Sequence, residues 1–282
     1  MSGTADSGYV HGTAPDEQAR LTRMNAMLNA RSLDALALKG GEQVLEVGAG
    51  LAHMARGMAR RGAARVVGIE KSARQREEAE RQAGEEGDRP LFDSGRVELR
   101  EGDALDLPLR DDEWGTFDVA HARFLLEHVV DPLAVVRQMV RAVRPGGRIV
   151  LSDDDHDTLQ LWPVPPGFDT LWRGLVRSYD RLGCDPHVGR RLVALLHEAG
   201  ARPRKNAFVW FGACAGEPEG GFETLAVNIA VILKQAGPAI REAGGLDPAT
   251  YDAGIRALEG WSRRPDAAVW YAMNWAEGVK ET

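Results

Sequence analysis

Cysteine, long hydrophobic runs and an excess of basic residues are scarce or absent in this chain of 282 residues. Its two cysteines, Cys184 and Cys214, are too few for a disulfide framework or a cysteine-rich metal site, and they indicate thiols in a reducing compartment. The longest apolar stretch, residues 225–233, is far shorter than a membrane span. With 42 acidic against 35 basic residues the net charge is −7, which is unlike the basic footprint of a general nucleic-acid binder.

These absences predict a protein with neither nucleic-acid nor membrane partners. Residues 1–16 are polar and glycine-rich and do not resemble a secretory leader, so we expect a cytoplasmic location. The sequence does not fix the oligomeric state, and a homo-oligomer is compatible with it.

Strand-like and helix-like segments alternate through the first half of the chain. We predict strands at 43–47, 65–70, 97–101, 117–121 and 148–152, and helices at 51–62, 72–83 and 131–143. Asp131 is placed to cap the last of these helices, with Pro132 at its first position. This alternation predicts an α/β fold, a doubly wound (Rossmann-like), mostly parallel sheet that binds ligands outside the carboxyl ends of its strands.

The first strand leads into a glycine hinge, and the second strand ends on an acid. Glu46 precedes Gly48 and Gly50, and Glu70 lies twenty residues beyond Gly50. Glycine lets the backbone approach a ligand closely, and an acid at the next strand tip can accept hydrogen bonds from both hydroxyls of a ribose. A tight turn explains the glycines alone and a surface acid explains Glu70 alone, but together they predict a site for a nucleoside cofactor.

The spacing of the small residues distinguishes two kinds of nucleoside cofactor. The dinucleotide fingerprint G-x-G-x-x-G/A needs a small sixth residue, and that position is His53 here. The segment from Glu46 to Ala52 instead resembles the E-x-G-x-G-x-G form associated with S-adenosylmethionine, with Ala52 in place of the last glycine.

Three downstream segments extend this resemblance. Residues 101–108 resemble the adenine-reading segment of class I S-adenosylmethionine-dependent methyltransferases, residues 117–128 their fourth strand and the helix after it, and residues 143–150 their turn into the fifth strand. The four motifs occur in the right order and spacing. The chain is therefore similar to the UbiE-like small-molecule branch over roughly residues 40–155, and less so at 7–39 and 185–200.

The resemblance implies how the hinge side of the site would bind the cofactor. Glu46 would orient the amino end of the methionine moiety, and the backbone of Gly48 and Gly50 would lie against the cofactor. The backbone carbonyl of Ala122 would face the methionine amino group. An acid at a helix N-terminus remains an alternative role for Glu46.

The resemblance also implies an adenine side and a covering segment. Asp103 with Ala104 would read the adenine amino group and a ring nitrogen, with a helix cap as the alternative for Asp103, and Gln75 would lie over the ring. Tyr9 and Arg20 belong to an N-terminal segment that would fold over the cofactor. Arg20 would pair with the methionine carboxylate, and Arg23 is the alternative for that role.

The acidic run at 153–157, Asp-Asp-Asp-His-Asp, follows the fifth predicted strand on the same edge. Carboxylates with a histidine can hold a hard cation, but consecutive residues point in different directions and rarely form one coordination shell, so we expect no metal site. A solvated acidic loop is the favoured interpretation. Within the run, His156 is the residue best suited to be a catalytic general base.

The predicted organisation has three parts. Residues 1–39 form an N-terminal helical segment over the cofactor, and residues 40–155 form the S-adenosylmethionine-binding core. Residues 156–282 complete the sheet, with a last strand at about 267–275, and insert a helical substrate lid at about 156–182 and 221–260. We expect two or three helices within residues 221–260.

The implied function is an S-adenosylmethionine-dependent methyltransferase of biosynthesis, acting on a small molecule of secondary-metabolite or quinone/aromatic type. Two alternatives stay open. One is non-methylating chemistry on the same fold, such as cyclisation or decarboxylation, since a fold does not fix a reaction. The other is a non-catalytic subunit that binds the cofactor to support a partner.

Overall fold

The computed structural model describes residues 28–217 and 221–281, which divide into two units by their contacts. The core unit consists of residues 28–155, His187–Val209 and 273–281. The second unit consists of His156–Pro186 and Trp210–Ala272, apart from residues 218–220. The predicted helix at the N-terminus is helical from 28 to 36, and its earlier residues lie outside the described chain.

The strands carry the predicted order. They are β1 (Gln43–Val47), β2 (Arg65–Glu70), β3 (Val97–Glu101), β4 (Phe117–Arg123), β5 (Val143–Asp153), β6 (Gln160–Trp162), β7 (Ala201–Cys214) and β8 (Ala268–Lys280). In the core unit the order is β3-β2-β1-β4-β5-β8, with β7 also beside β8. The first five strands pair in parallel and β8 is antiparallel to β5, which confirms the doubly wound, mostly parallel α/β sheet.

Helices connect and flank these strands. They are α1 (28–36), α2 (His53–Arg60), α3 (Ala73–Glu85), α4 (Arg89–Asp93), α5 (Pro132–Ala142), α6 (Phe168–Ser178), α7 (Leu192–Glu198), α8 (Gly221–Gln235), α9 (Gly237–Gly244) and α10 (Pro248–Trp261). The predicted cap of α5 is confirmed, because Asp131 accepts a hydrogen bond of 2.9 Å from the N–H of Ala134. None of the described helices is long and apolar enough to cross a membrane.

The central strands of the core unit are buried on both faces, as expected for a parallel sheet. On one face Leu45, Ala120 and Ile149 pack against buried residues of α5 and α7. The alternate residues of the same strands point to the other face, where Glu46 and His121 occupy neighbouring positions on β1 and β4. Two buried polar side chains thus lie side by side on this face of the sheet.

Several boundaries differ from the sequence prediction. β4 continues to Arg123, and β8 continues to Lys280, since each gains a full set of pairings with β5. α2 begins only at His53, because Ala52 has left-handed backbone angles, φ 56° and ψ 23°. The short elements α4 and β6 were not predicted.

The second unit contains β6, α6 and the three helices α8–α10. β6 pairs antiparallel with the start of β8, where Gln160 lies opposite Trp270. α6 packs mainly against α9. The expectation of two or three helices between residues 221 and 260 is confirmed.

Candidate cofactor site

The glycine hinge follows β1 directly and is tied to the acid at the end of β2. The carboxylate of Glu70 accepts hydrogen bonds from the N–H of Gly50 at 2.9 Å and from the N–H of Ser72 at 2.8 Å. Gly48 and Gly50 both have positive φ, 75° and 53°. A Cβ on Gly48 would lie 3.0 Å from Leu125 Cδ1, so this position favours glycine for its backbone angle, and any larger residue would displace the Leu125 side chain.

Glu46 lies on β1, two residues before the hinge, and is 4% exposed. Its Oε2 atom has no hydrogen-bond partner within the described chain, and its Oε1 atom lies 3.9 Å from Nδ1 of His121. Burial raises the pKa of Glu46 to about 8, against the lowering effect of Arg123 and of the Ala55 N–H in the first turn of α2. Glu46 therefore interacts with a helix N-terminus and also presents an uncompensated carboxyl oxygen.

His121 was not singled out from the sequence. It is fully buried on β4, and neither ring nitrogen has a hydrogen-bond partner among residues 28–217 and 221–281. Burial lowers the pKa of His121 to about 3, so the ring is neutral at physiological pH. The sequence signal that points to His121 is the presence of a polar residue within a strand that should be apolar.

Asp103 initiates a turn after β3 and does not cap a helix. Its Oδ1 accepts a hydrogen bond from the N–H of Leu105 at 3.0 Å, and Lys71 Nζ donates to its Oδ2 at 2.8 Å. Lys71 and the Leu105 N–H hold the pKa of Asp103 below its ordinary value. Ala104 beside it is partly buried against the core.

The remaining described candidates also lie at the carboxyl ends of strands or close to the hinge. Gln75, in the first turn of α3, is buried, and its Oε1 lies 3.1 Å from the position of a Cβ on Gly50. Ala122 is buried on β4 and pairs with Val47 of β1, the residue before the hinge. Tyr9 and Arg20 lie outside the described residues, so their predicted roles remain predictions.

The interpretation of residues 153–157 as a solvated acidic loop is wrong for most of the run. Asp153 is fully buried, and it accepts hydrogen bonds from the N–H groups of Leu125, Leu126 and Asp154 at 3.0, 2.7 and 3.0 Å. Burial raises the pKa of Asp153 to about 8. Asp155 is buried as well, in a bidentate pair with Arg190. Asp153 and Asp155 anchor the chain where it leaves β5.

His156 belongs to the second unit and is mostly buried there. Its ring lies between Trp172 and Tyr179, with centroids 5.5 and 5.2 Å away, and its carbonyl accepts a hydrogen bond from Trp172 Nε1 at 2.8 Å. The histidine also lines a cavity of about 330 Å³ together with Phe168, Leu161 and other residues of the same unit.

Comparison with known proteins agrees with this geometry. Residues 45–151 match a family model described as a methyltransferase domain. The chain is 34% identical over 161 residues to 27-O-demethylrifamycin SV methyltransferase of Amycolatopsis mediterranei, covering 56% of this chain and 54% of that protein. It is 32% identical over 148 residues to demethylmenaquinone methyltransferase of Clavibacter sepedonicus, covering 52% and 55%. The chain thus spans about half the length of these curated relatives.

The fold is shared with solved methyltransferases. Geranyl diphosphate C-methyltransferase from Streptomyces coelicolor, solved with Mg²⁺, geranyl diphosphate and S-adenosylhomocysteine, superposes with a TM-score of 0.52 at 15% identity, covering 98% of this chain and 86% of that one. At that identity the likeness shows the fold alone. The matched domain and the methyltransferase relatives together place this chain among the class I S-adenosylmethionine-dependent methyltransferases, in their UbiE-like small-molecule branch.

Proposed function

We propose that this protein transfers the methyl group of S-adenosylmethionine to a small molecule of secondary-metabolite or quinone/aromatic type. The observation that supports this best is the link between the hinge and the strand-tip acid, in which Glu70 accepts the N–H groups of Gly50 and Ser72. Each carboxylate oxygen has a further lone pair. The acid therefore retains acceptor capacity for two ribose hydroxyls while holding the hinge in place.

The other residues near the hinge fit the remaining parts of the cofactor. Glu46, with its unpartnered Oε2, would receive the methionine ammonium, and the carbonyl of Ala122 would accept from the same group. Because Gly48 and Gly50 have no Cβ, the ligand would be able to approach their backbone closely. The positive charge offered by the ammonium would favour the ionised form of Glu46.

On the adenine side, Asp103 would accept from the adenine amino group. Its carboxylate is ionised and fixed by Lys71 and Leu105, so it is oriented before a ligand arrives. Ala104 would present its backbone to a ring nitrogen, and Gln75 would lie against the base. Tyr9 and Arg20 would cover the cofactor from the N-terminal segment.

The cofactor supplies an electrophilic methyl group, and the chain's own residues align the nucleophile and exclude water. We propose that the second unit contains the substrate-binding lid, at residues 156–182 and 221–260. The division of the chain at His156 supports this, and so does the cavity in that unit, whose lining includes Phe168 and Trp172. His156, in the wall of the cavity, is the proposed base for a substrate whose hydroxyl or amine must lose a proton.

Calorimetry tests the cofactor. The protein should bind S-adenosylmethionine and S-adenosylhomocysteine and should not bind NAD. Tight binding of NAD without a response to S-adenosylhomocysteine would overturn the proposal.

Product mass tests the reaction. With aromatic and terpenoid metabolites as candidate substrates, each turnover should add one methyl group. A product of unchanged mass would favour cyclisation, and loss of carbon dioxide would favour decarboxylation. Protection of the loops near 213–221 and 243–249 from proteolysis by substrate would support the lid, and cleavage that ligands do not change would count against it.

A further inference from the structure

Arg123 is a second charged group beside the end of β1, and the sequence motifs predicted no role for it. It is the last residue of β4, directly after Ala122, which is paired with the last residue of β1. The side chain is partly buried, and its guanidinium donates hydrogen bonds to Asn29 Oδ1 at 2.6 Å and to Ser32 Oγ at 3.3 Å, both on α1. The arginine therefore lies between the end of β4 and α1.

Arg123 lies on the same face of the sheet as Glu46. Glu46 is the register partner of His121 on β4, and Arg123 follows two residues later, so the alternation of a strand places all three side chains on one face. Glu46 and Arg123 lie on neighbouring strands and are offset by two residues along the strand direction. Their Cα atoms are therefore about 8 Å apart. The two side chains interact: burial lowers the pKa of Arg123 to about 10 and raises that of Glu46 to about 8, and each charge opposes the shift of the other.

Further polar atoms near Arg123 lack partners. The described residues offer no hydrogen-bond partner to Ser152 Oγ, which is opposite Arg123 on β5, or to Oδ1 of Asp154, which follows the end of β5 and interacts electrostatically with Arg123. Both are in addition to the unpartnered atoms of Glu46 and His121. Buried polar atoms without partners are rare in folded proteins, and a group of them is typical of a site for a polar ligand or ordered water.

We propose that Arg123 binds the carboxylate of the methionine moiety, so that Arg123 and Glu46 together recognise the zwitterionic amino-acid end of the cofactor. This inference rests on the proposed function. The carboxylate and ammonium of an amino acid sit on one carbon, and an arginine and an acid on one sheet face beside the hinge match that pair of charges. A guanidinium fork binds a carboxylate through two parallel hydrogen bonds.

The proposal distinguishes Arg123 from Arg20, which the sequence favoured for the same carboxylate. Both can be tested by one measurement, the preference for a ligand with the carboxylate over one without it. Calorimetry on the full-length protein would use S-adenosylhomocysteine and its decarboxylated analogue, 5′-deoxy-5′-(3-aminopropylthio)adenosine, which keeps the amine. The ratio of the two dissociation constants is internal to each variant, so it does not depend on how much of the protein is folded.

Arg123→Gln should weaken binding of S-adenosylhomocysteine by about ten- to a hundredfold and leave the decarboxylated analogue within about threefold of the parent. Arg123→Lys keeps the charge without the fork and should retain part of the preference. The matched control is Arg148→Gln. Arg148 is on the same face of β5, four residues before Ser152, and donates to Leu36 O on α1 at 3.0 Å. It should leave the ratio unchanged.

Equal weakening of both ligands by Arg123→Gln, or an unchanged ratio in both Arg123 variants, would overturn the proposal. Loss of the preference in Arg20→Gln with its retention in Arg123→Gln would assign the carboxylate to Arg20 instead. A parent protein that binds neither adenosyl ligand would overturn the proposed function and this inference with it. A parent that binds both ligands equally would overturn this inference alone, because no residue would then recognise the carboxylate.

Discussion

Replacing Glu70 by alanine should weaken the binding of S-adenosylhomocysteine. The carboxylate would accept one hydrogen bond from each ribose hydroxyl, and a hydrogen bond to a charged group is worth about 1.5–3 kcal/mol. Water that fills the gap recovers part of the loss. A net loss of about 1.5–3.5 kcal/mol corresponds to roughly ten- to several-hundred-fold in the dissociation constant.

The structure adds a second effect to this estimate. Glu70 also accepts the N–H groups of Gly50 and Ser72, so its removal loosens the hinge. The melting temperature should therefore fall slightly, by roughly 2–4 °C for each kcal/mol lost. Glu70→Gln retains one acceptor oxygen and should lie between the parent and the alanine variant.

Calorimetry with a parallel thermal melt separates the two effects. The control is Glu101→Ala, because Glu101 is the register partner of Glu70 on β3, ends its own strand, and is exposed in an ion pair with Arg76. It should change neither binding nor stability appreciably. Binding by Glu70→Ala within twofold of the parent would refute the assignment of the ribose to this strand tip, and would shift the register of every other cofactor contact proposed above.

Three further predictions concern stability. Because burial raises the pKa of Glu46 from 4.5 to about 8, its contribution to the free energy of unfolding is complete below pH 4.5 and is lost as the pH rises through about 8. In denaturant titrations of the unliganded protein at pH 6–9, Glu46→Gln should therefore flatten the dependence of that free energy on pH. An unaltered slope would contradict the raised pKa of Glu46. In the same assay Gly48→Ala should destabilise the protein more than Gly87→Ala. Both glycines have φ near 75–78°, but only at Gly48 would the new Cβ contact Leu125. Equal losses of unfolding free energy in the two variants would argue against that contact. Asp153→Ala should lower the free energy of unfolding by about 2–5 kcal/mol, because three backbone N–H groups lose their acceptor. Asp153→Asn should lower that free energy by less. Thermal melts in which both variants match the parent would exclude this anchoring role.

The elements with strong local signals were predictable from the sequence. β1, β2 and β3 have the predicted bounds to the residue, since an apolar run bounded by glycine or charge is a local feature. The Asp131 cap and the hinge are local in the same sense. β4 and β8 were predicted too short because their last residues pair with a strand distant in sequence, and pairing is not visible in a local pattern.

The candidate site shows the same limit. Glu70 and the two glycines could be located by spacing, whereas the partners of Arg123 lie 94 and 91 residues away in sequence, at Asn29 and Ser32. The acidic run was misinterpreted for the same reason. The negative charge of residues 153–157 suggested exposure to solvent. Asp153 is nevertheless buried, where N–H groups distant in sequence donate hydrogen bonds to it.

Ala52 occupies the position of the third glycine of the motif and has a left-handed backbone conformation. An L-residue pays about 1–2 kcal/mol in this conformation, which is a tolerable fraction of the 5–15 kcal/mol that stabilises an average domain. At this position of the chain the left-handed backbone angle is thus compatible with a residue other than glycine. A search pattern that insists on glycine at this place would pass over proteins of this kind, and one that admits alanine there, while keeping glycine where Leu125 leaves little space, would find them.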